Sequence, residues 1–276
     1  MSMIVNTNVL SLITQTDLAN TQNKLNNAVQ QLSSGLRINS AMDDPAGLAI
    51  ATGMQAQVNG MNQGVINANT AIAFAQTADG AMASVTNMLQ QMRTLAVEGA
   101  NGSNSAASNA DLNAEYAQLA SQIALTLSNT QFNGQGVFTS GNTITYQVGA
   151  NTTDQIGVGG MNLSGTAALS AASLGDLTNQ ADSTKAIDAV DAALSLVNST
   201  RATNGANEIR FQQVVASMQV NSQNTAAAQS QIMDTDYAQA TTNLTQAEIV
   251  QQAGTAMLSQ ANMIPQNVLS LLSKLP

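Results

Sequence analysis

The sequence predicts a mainly α-helical protein. Long antiparallel helices are expected to form a bundle or coiled-coil rod with a small β-hairpin region, and both chain ends are expected to pair as a two-helix coiled coil. Apolar residues recur at steps of three and four through most of the 276 residues, which is the period of a helix that packs lengthwise on another. The period changes to two only near the middle of the chain. Segments rich in Gly and Asn separate the helical stretches.

The two ends of the chain carry similar apolar stripes. The N-terminal stripe consists of Leu18, Leu25, Val29, Leu32 and Leu36. The C-terminal stripe, on a helix predicted over 240–272, includes Leu244, Val250, Met257, Ile264, Val268 and Leu271. Pro265 lies inside this helix and is expected to kink it, because proline lacks the backbone N–H and crowds the preceding turn.

Three further helices are predicted between the ends. The second helix starts with Asp44 as N-cap and Pro45 at the first helical position, and it runs to a Gly- and Asn-rich loop at 99–104. Its stripe consists of Ile72, Ala75, Ala78, Met82, Val85, Leu89, Met92 and Ala96. The third helix carries Leu112, Tyr116, Leu119, Ile123 and Leu127. The fourth is expected to start at Asp182-Ser183, to carry Ile209 on its apolar face and to continue towards Ile232.

A β region is predicted between the third and fourth helices. Asn133-Gly134 predicts a tight turn. Ile144, Tyr146 and Val148 alternate with polar residues, as in a half-buried strand, and 156–158 predicts another strand. The remaining residues up to 182 are rich in Gly, Ser, Thr and Asn, which predicts a surface loop.

Composition excludes several kinds of site. Without Cys or His, the chain predicts no thiolate or imidazole metal site, no disulfide, and no Ser–His or Cys–His catalytic pair. Seven Lys and Arg against sixteen Asp and Glu give a net charge of −9, so the basic surface that nucleic-acid binding needs is missing. No apolar run approaches the ~20 residues of a membrane span, and the N-terminus lacks the basic region of an ordinary secretory signal.

The acidic residues are interpreted as structural. Asp234, Asp236 and Glu248 lie close enough in sequence to suggest a cation site, but acids near a helix start are favoured by the helix dipole. Asp43 and Asp44 are interpreted in the same way. We therefore predict no catalytic residue, no cofactor, no metal, and neither a nucleic-acid nor a membrane partner.

Both terminal helices are almost free of charge. Lys24 is the only charged residue between Asp17 and Arg37, and Glu248 is the only one between Tyr237 and Ser273. A solvated helix face usually carries many charges. Amide-rich disorder is one explanation. The other is burial of both faces by copies of the same chain, where each unpaired ion would cost several kcal/mol, on the order of its desolvation. The regular stripes favour self-assembly, and the ends could also order only on polymerisation.

Several motifs resemble those of bacterial flagellins. One of them is Gln31-Leu32-Ser33-Ser34-Gly35-Leu36-Arg37-Ile38-Asn39-Ser40-Ala41. The others lie at 4–8, 43–50, 75–81, 130–134, 236–238, 251–255, 259–262 and 265–272. The resemblance covers roughly residues 1–150 and 183–276.

The resemblance implies a structural, non-enzymatic subunit that polymerises into the extracellular filament of the bacterial flagellum for motility. The chain would be exported unfolded by the flagellar type III apparatus. Residues 1–42 and 236–276 would form an inner coiled-coil domain. Residues 43–235 would form a surrounding rod domain with a β region at about 132–160 and a loop at 161–182. The implied partners are copies of the same chain, a filament cap, a hook–filament junction protein and an export chaperone.

Three alternatives differ in function class. A hook–filament junction protein shares such ends and is the first alternative. A flagellin with a catalytic insert needs an inserted domain, and the short middle of this chain leaves no room for one or for large variable outer domains. A membrane-active helical protein should have basic polar faces, and these faces are not basic.

The resemblance also implies a possible immune-receptor stretch. Flagellins sensed by Toll-like receptor 5 resemble one another over a segment that is 90–97 in this chain. Arg93 and Leu95 match that pattern, whereas Gln91 stands in place of Arg and Thr94 in place of Glu. The loss of two charged contacts predicts weak receptor activation. The Ser and Thr residues of 139–180 could be O-glycosylated or bare, and the sequence leaves both open.

Overall fold

The computed structural model describes residues 7–139, 141–170 and 172–272, with side chains up to residue 266. Within these residues the fold is mainly α-helical, as predicted. The helices are α1 (Val9–Ser34), α2 (Pro45–Gly99), α3 (Ala106–Asn129), α4 (Gln180–Met233) and α5 (Tyr237–Leu272). The short strands are β1 (Gln131–Phe132), β2 (Gln135–Gly136), β3 (Ile144–Gln147) and β4 (Gln155–Val158).

The chain divides into two compact units. The first combines the chain up to Gln55 with the chain from Thr225 onward, and the second is Ala56–Asn224. Both divisions fall inside helices, in α2 and α4, whereas the predicted boundaries at 42/43 and 235/236 fall in the loops beside them. The assignment of 1–42 and 236–276 to one layer of an assembly stays a prediction.

The helix ends follow side-chain capping. Asp44 accepts a hydrogen bond from the Gly47 N–H at 2.8 Å, as expected for the N-cap of α2. The start of α4 differs from the prediction, because Asn179 accepts the Asp182 N–H at 2.9 Å and places Asp182 and Ser183 inside the first turn. Asn and Asp cap helices about equally well, so capping preference alone does not favour Asn179 over Asp182. Pro265 does not end α5, which continues to Leu272.

The core of the second unit confirms the predicted stripe of α2. Its residues from Ala75 to Ala96 are buried and Ile72 is half-buried. The methionines of this stripe, Met82 and Met92, are core residues with no exposed surface. On α4 the prediction for Ile209 is wrong, since this side chain is 69% exposed. The buried positions of that part of α4 are Asn204, Phe211 and Met218, spaced seven residues apart.

Two β-hairpins occupy the predicted β region. β1 and β2 pair around a turn in which Asn133 and Gly134 have φ values of 50° and 76°. Positive φ at both central positions is what a two-residue hairpin turn requires. β3 and β4 pair antiparallel, from Ile144 opposite Val158 to Gln147 opposite Gln155.

The segment predicted as a surface loop, 161–182, is partly core. Its described backbone is irregular up to Asn179 apart from a short 3-10 helix at Ala167–Leu169, and its last three residues begin α4. Its large apolar side chains are nevertheless buried: Met161, Leu163, Leu169, Leu174 and Leu177. These residues are spaced without a helical or strand period, so periodicity alone could not identify them.

Polar pairs hold α2 and α4 together within this unit. Arg93 binds Asp191 through two hydrogen bonds of 2.7 and 3.3 Å, and Arg201 binds Asp79 in the same way at 2.8 and 3.3 Å. The hydrogen bond from Arg93 lowers the pKa of the Asp191 carboxyl. Buried Asn204 donates to the Ala75 carbonyl at 2.7 Å. Both ion pairs are partly exposed, so water screens them and each adds little to stability.

Tyr116 links α3 to the irregular segment. The side chain is 1% exposed and its hydroxyl donates to the Leu174 carbonyl at 2.5 Å. Burial raises the pKa of Tyr116 from 10.0 to about 12. The folded chain therefore keeps this proton after the unfolded chain has lost it. The raised pKa of Tyr116 therefore stabilises the folded chain fully below pH 10, and this contribution is lost as the pH rises to about 12.

We predict that Tyr116→Phe destabilises the chain at pH 7 by about 1–2 kcal/mol, because the Leu174 carbonyl loses its buried donor. We also predict that the variant loses less stability than the parent between pH 10 and 12, by at most roughly 3 kcal/mol. Some alkaline loss remains, since burial also raises the pKa of Tyr146.

Urea denaturation followed by circular dichroism at a series of pH values measures both effects. Tyr237→Phe is the matched control, because Tyr237 is 57% exposed. Parallel pH profiles for the parent and Tyr116→Phe would contradict the assignment.

The terminal helix pair as the candidate functional site

The candidate functional site is the pair of terminal helices, α1 and α5, which lie in the same unit and pack against each other. Asn8 begins α1 and joins the two helices. Its Oδ1 accepts the Ser11 N–H at 3.1 Å, which caps α1, while its Nδ2 donates to the Ala261 carbonyl of α5 at 2.9 Å. The Ser11 hydroxyl bonds to Asn262 Oδ1 at 3.0 Å. The Asn8 side chain thus caps α1 and also binds α1 to α5.

Small side chains make the contact between α1 and α5. The buried positions are Ser11, Thr21 and Ala28 on α1, and Ala240, Ala247 and Ala261 on α5. Half-buried between them are Leu18, Leu25 and Leu32 on α1, and Leu244, Gly254 and Leu258 on α5. We call these twelve residues the inner seam. Their steps of three, four and seven are those of a coiled coil.

The two helices run antiparallel, with large residues opposite small ones. A Cβ atom added to Gly254 would lie 3.4 Å from Leu18 Cδ1, so these two residues face each other. One heptad forward along α1 and one backward along α5 place Leu25 opposite Ala247. At these two levels a leucine of α1 meets a residue of α5 with little or no side chain, so a large residue of one helix packs against a small residue of the other.

Neutral hydrogen bonds supplement this packing. Gln251 of α5 donates to Gln22 Oε1 of α1 at 2.7 Å. The three ion pairs found among the described residues all lie in the other unit. Over the part of the chain that the structure covers, packing and neutral hydrogen bonds therefore hold the terminal pair together.

Large apolar side chains lie on the outer surface of the pair. On α1 they are Val9, Leu10, Leu12, Ile13 and Val29, which are 44–56% exposed. On α5 they are Ile249, Val250, Met257, Met263 and Ile264, which are 44–61% exposed. We call these ten residues the outer faces. Apolar surface gathered on one element of a chain commonly marks an interaction site.

The structure divides the predicted self-association residues between the seam and the outer faces. Leu18, Leu25, Leu32 and Leu244 belong to the inner seam. Val29, Val250, Met257 and Ile264 belong to the outer faces. Leu36 follows α1 and is half-buried. Val268 and Leu271 lie on α5, but their side chains are outside the described residues.

The sequence shows small residues in the C-terminal stripe, since Ala247 and Ala261 share its spacing and Gly254 would let helices approach closely, but it does not rank them. Ala240, Ala247, Gly254 and Ala261 are spaced seven residues apart. The predicted self-association residues were nevertheless all larger side chains. Two parallel repeats of seven on one helix cannot be ranked by periodicity alone, so the choice between them required the structure.

A short connection closes the base of this unit. Gly35 ends α1 with φ 73°, and its N–H donates to the Gln31 carbonyl at 2.9 Å. The Gly35 carbonyl accepts the Thr235 N–H at 2.9 Å, and Leu36 forms a β-bridge with Asp234. The Arg37 N–H donates to the Met233 carbonyl at 2.6 Å. These backbone contacts connect the exit from α1 to the entry into α5.

The acidic residues near this base serve backbone groups. Asp236 accepts the Ala238 N–H at 2.9 Å at the start of α5. The backbone N–H groups of Ser40 and Asn39 lower the pKa of the Asp43 carboxyl. No group of three or more metal-ligating side chains occurs among the described residues. None of the helices, over the stretches that are described, is long and apolar enough to cross a membrane.

The stretch predicted to face an immune receptor lies on α2 in the other unit. Gln91 and Arg93 are exposed, and Leu95 is half-buried against the core. Arg93 is engaged by Asp191, as described above. The structure thus leaves two of the three side chains on the surface of the chain.

Comparison with known proteins decides the family. A family profile described as the bacterial flagellin N-terminal helical region matches residues 5–143, and one described as the bacterial flagellin C-terminal helical region matches residues 187–272. The chain belongs to the bacterial flagellin family. The motifs at both ends that resembled flagellins lie within or beside these two matches, and the resemblance is confirmed.

Similar proteins extend over nearly the whole chain. It is 38% identical to a flagellin of Halalkalibacterium halodurans, over 98% of this chain and all of the relative. It is 36% identical to a flagellar filament 33 kDa core protein of Treponema phagedenis, again over 98% of this chain and all of the relative. A crystal structure of Bacillus cereus flagellin is similar with a TM-score of 0.51 at 29% identity, covering 59% of this chain and 94% of that one.

We predict that Leu18→Cys combined with Gly254→Cys forms an intramolecular disulfide under mild oxidation, because the two positions face each other across the inner seam. The parent contains no Cys, so no native thiol competes. Mobility on a non-reducing gel, with peptide mass spectrometry, measures the cross-link in dilute protein.

The matched control combines Leu18→Cys with Met257→Cys, since Met257 lies on the outer face of α5. Equal cross-linking of the two pairs would contradict the antiparallel seam and its register.

Proposed function

We propose that this chain is the structural subunit that polymerises into the filament of a bacterial flagellum, and that the outer faces of α1 and α5 are the surfaces through which copies associate. The observation that carries the proposal is the arrangement of the terminal pair. Small residues and half-buried leucines fill its seam, while other large apolar residues remain exposed on helices with almost no charge. Full-length relatives named as flagellin and as a flagellar filament core protein support the same function.

Burial of the outer faces supplies the free energy of association. Each large aliphatic side chain that leaves water contributes roughly 1.5–3 kcal/mol. An ion caught in the same contact would cost several kcal/mol, on the order of its desolvation penalty. α5 carries Glu248 as its single charged residue over Tyr237–Leu272. This composition suits a surface that loses its water when copies assemble.

The proposed assembly has two layers. Residues 1–42 and 236–276 would form the inner coiled-coil layer, and 43–235 the surrounding layer. The apolar core of the Ala56–Asn224 unit and its two Arg–Asp pairs support a domain that folds without help from other copies. The filament is an extracellular structure, and we propose that the chain reaches it unfolded through the flagellar type III apparatus.

The other proposed partners follow from the family. They are a filament cap, a hook–filament junction protein and an export chaperone. The flagellins are a structural protein family, and we propose no catalytic role for this chain. Relatives that match end to end carry flagellin and filament-core names, so a filament subunit is preferred to a hook–filament junction protein.

We predict that Val250→Lys and Ile264→Lys each raise the critical concentration for polymerisation at least roughly a hundredfold, about 3 kcal/mol, because a lysine would be buried without a partner. Both side chains are exposed in the single chain, so circular dichroism should remain that of the parent. Seeded polymerisation measured by sedimentation, with negative-stain microscopy of the product, tests this.

Thr152→Lys is the control for added charge, because Thr152 is exposed in the turn between β3 and β4. Deletion of 240–276 is the more severe variant and should leave a soluble, folded chain that does not polymerise. Long filaments from Val250→Lys or from the deletion would overturn the proposed role of the terminal pair.

We predict that the purified monomer activates Toll-like receptor 5 weakly in a reporter assay, and that Gln91→Arg with Thr94→Glu lowers the concentration for half-maximal response at least roughly tenfold, which corresponds to about 1.4 kcal/mol if that concentration follows the Kd. The two substitutions restore the charges missing from the stretch that resembles receptor-activating flagellins. The same pair of charges placed elsewhere on the exposed surface of α2, Gln63→Arg with Thr70→Glu, is the control. A potent response from the parent would contradict the prediction.

A further inference from the structure

The thioether is the most readily oxidised side-chain group in this chain. Cys, Trp and His are absent, whereas Met occurs thirteen times. Peroxides and hypochlorous acid convert an accessible methionine to its sulfoxide, and accessibility governs the rate. The distribution of methionines over the structure therefore decides which positions an oxidant reaches.

The described methionines differ widely in exposure. Met82 and Met92 have no exposed surface, and Met161 and Met218 are 8% exposed. The exposed methionines of the described residues are Met42 at 89%, Met257 at 54% and Met263 at 51%. Met42 lies in the connection between α1 and α2, while the other two lie on α5.

Met257 and Met263 occupy the outer face of α5. Val250, Met257 and Ile264 are spaced seven residues apart, so they form a stripe that runs alongside the inner seam. Ile249 and Met263 flank this stripe, each next to one of its members. The two thioethers therefore lie within the apolar surface that the proposed function assigns to contact between copies.

Oxidation changes this surface chemically. A lone pair of the methionine sulfur attacks one oxygen of hydrogen peroxide, the S–O bond forms as the O–O bond breaks, and water leaves. The thioether loses two electrons and the peroxide gains them. The product is a polar sulfoxide, and a polar group buried without a hydrogen-bond partner is unfavourable.

We propose that Met257 and Met263 form an oxidation-sensitive site that controls assembly. Peroxide acting on the free chain converts them to sulfoxides and prevents the chain from adding to a filament, whereas assembly covers them and protects them. The inference rests on the proposed function, because it requires that the outer face of α5 becomes buried between copies.

The test compares treated and untreated full-length chain. The protein is exposed to hydrogen peroxide, the reaction is stopped with catalase, sulfoxides are located by peptide mass spectrometry, and seeded polymerisation is measured by sedimentation. We expect the critical concentration to rise at least tenfold, equivalent to about 1.4 kcal/mol, and to recover after methionine sulfoxide reductases of both epimer specificities act with dithiothreitol. Equal polymerisation of treated and untreated chain overturns the inference.

Matched variants locate the effect. Met257→Leu combined with Met263→Leu should polymerise before and after peroxide, and Met42→Leu should remain sensitive. The inference is overturned if the Met257→Leu, Met263→Leu double variant loses polymerisation after peroxide while Met42→Leu keeps it. Met257→Gln with Met263→Gln, which introduces polar groups without oxidant, should raise the critical concentration at least tenfold, and an unchanged value overturns it.

Footprinting makes the test independent of any variant. Peroxide should oxidise Met257 at least tenfold more slowly in the intact filament than in the free chain, and equal rates overturn the inference. The proposed function fails separately, if untreated parent chain does not polymerise on seeds at all.

Discussion

The close antiparallel contact between α1 and α5 determines the rest of the terminal unit. Because Ala240, Ala247, Gly254 and Ala261 recur every seven residues along α5, leucines of α1 are accommodated against them without a second layer of bulky residues. A coiled coil normally places its largest apolar residues in the seam. Here leucines of α1 pack against Gly254 and Ala247 of α5, and a further set of large apolar residues of both helices remains outside the seam. The close approach of α1 and α5 therefore leaves these other large residues on the surface of the pair, which makes that surface apolar.

The second unit is built in the opposite way. Most of its large apolar residues face inward, with exceptions such as Ile209, and the Arg93–Asp191 and Arg201–Asp79 pairs lie on partly exposed sides of α2 and α4. An ion pair that stays hydrated incurs little desolvation penalty. A solvent-exposed helix face therefore tolerates such pairs. The two units therefore differ in composition: the second has a large apolar core and exposed ion pairs, and the first has apolar outer faces with almost no charge. This difference supports the proposal that copies associate through the terminal pair.

Most of the fold was predictable from sequence, because helix periodicity, Asp44 and Asn133-Gly134 each act locally. Two parts were not. The segment 161–182 buries Leu163 and Leu174 from an irregular backbone, and irregular spacing carries no periodic pattern. The sequence predicted the helix contact at larger residues such as Val250, because valine is more hydrophobic than alanine. Which of two parallel stripes faces the partner helix depends on how closely the backbones approach, and this is a property of the folded pair.

The amide side chains explain how one surface can meet copies of itself. In an assembly of identical subunits every interface residue recurs in each copy, so a charged residue brings the same charge to every site. An amide both donates and accepts. The Gln251–Gln22 bond at 2.7 Å illustrates this within one chain, since two identical side chains satisfy each other. A pair of helices rich in Asn, Gln, Ser and Thr can therefore be surrounded by its own copies without like-charge repulsion. In the proposed assembly its apolar stripes would supply the free energy, and its amides would leave few polar groups unpaired.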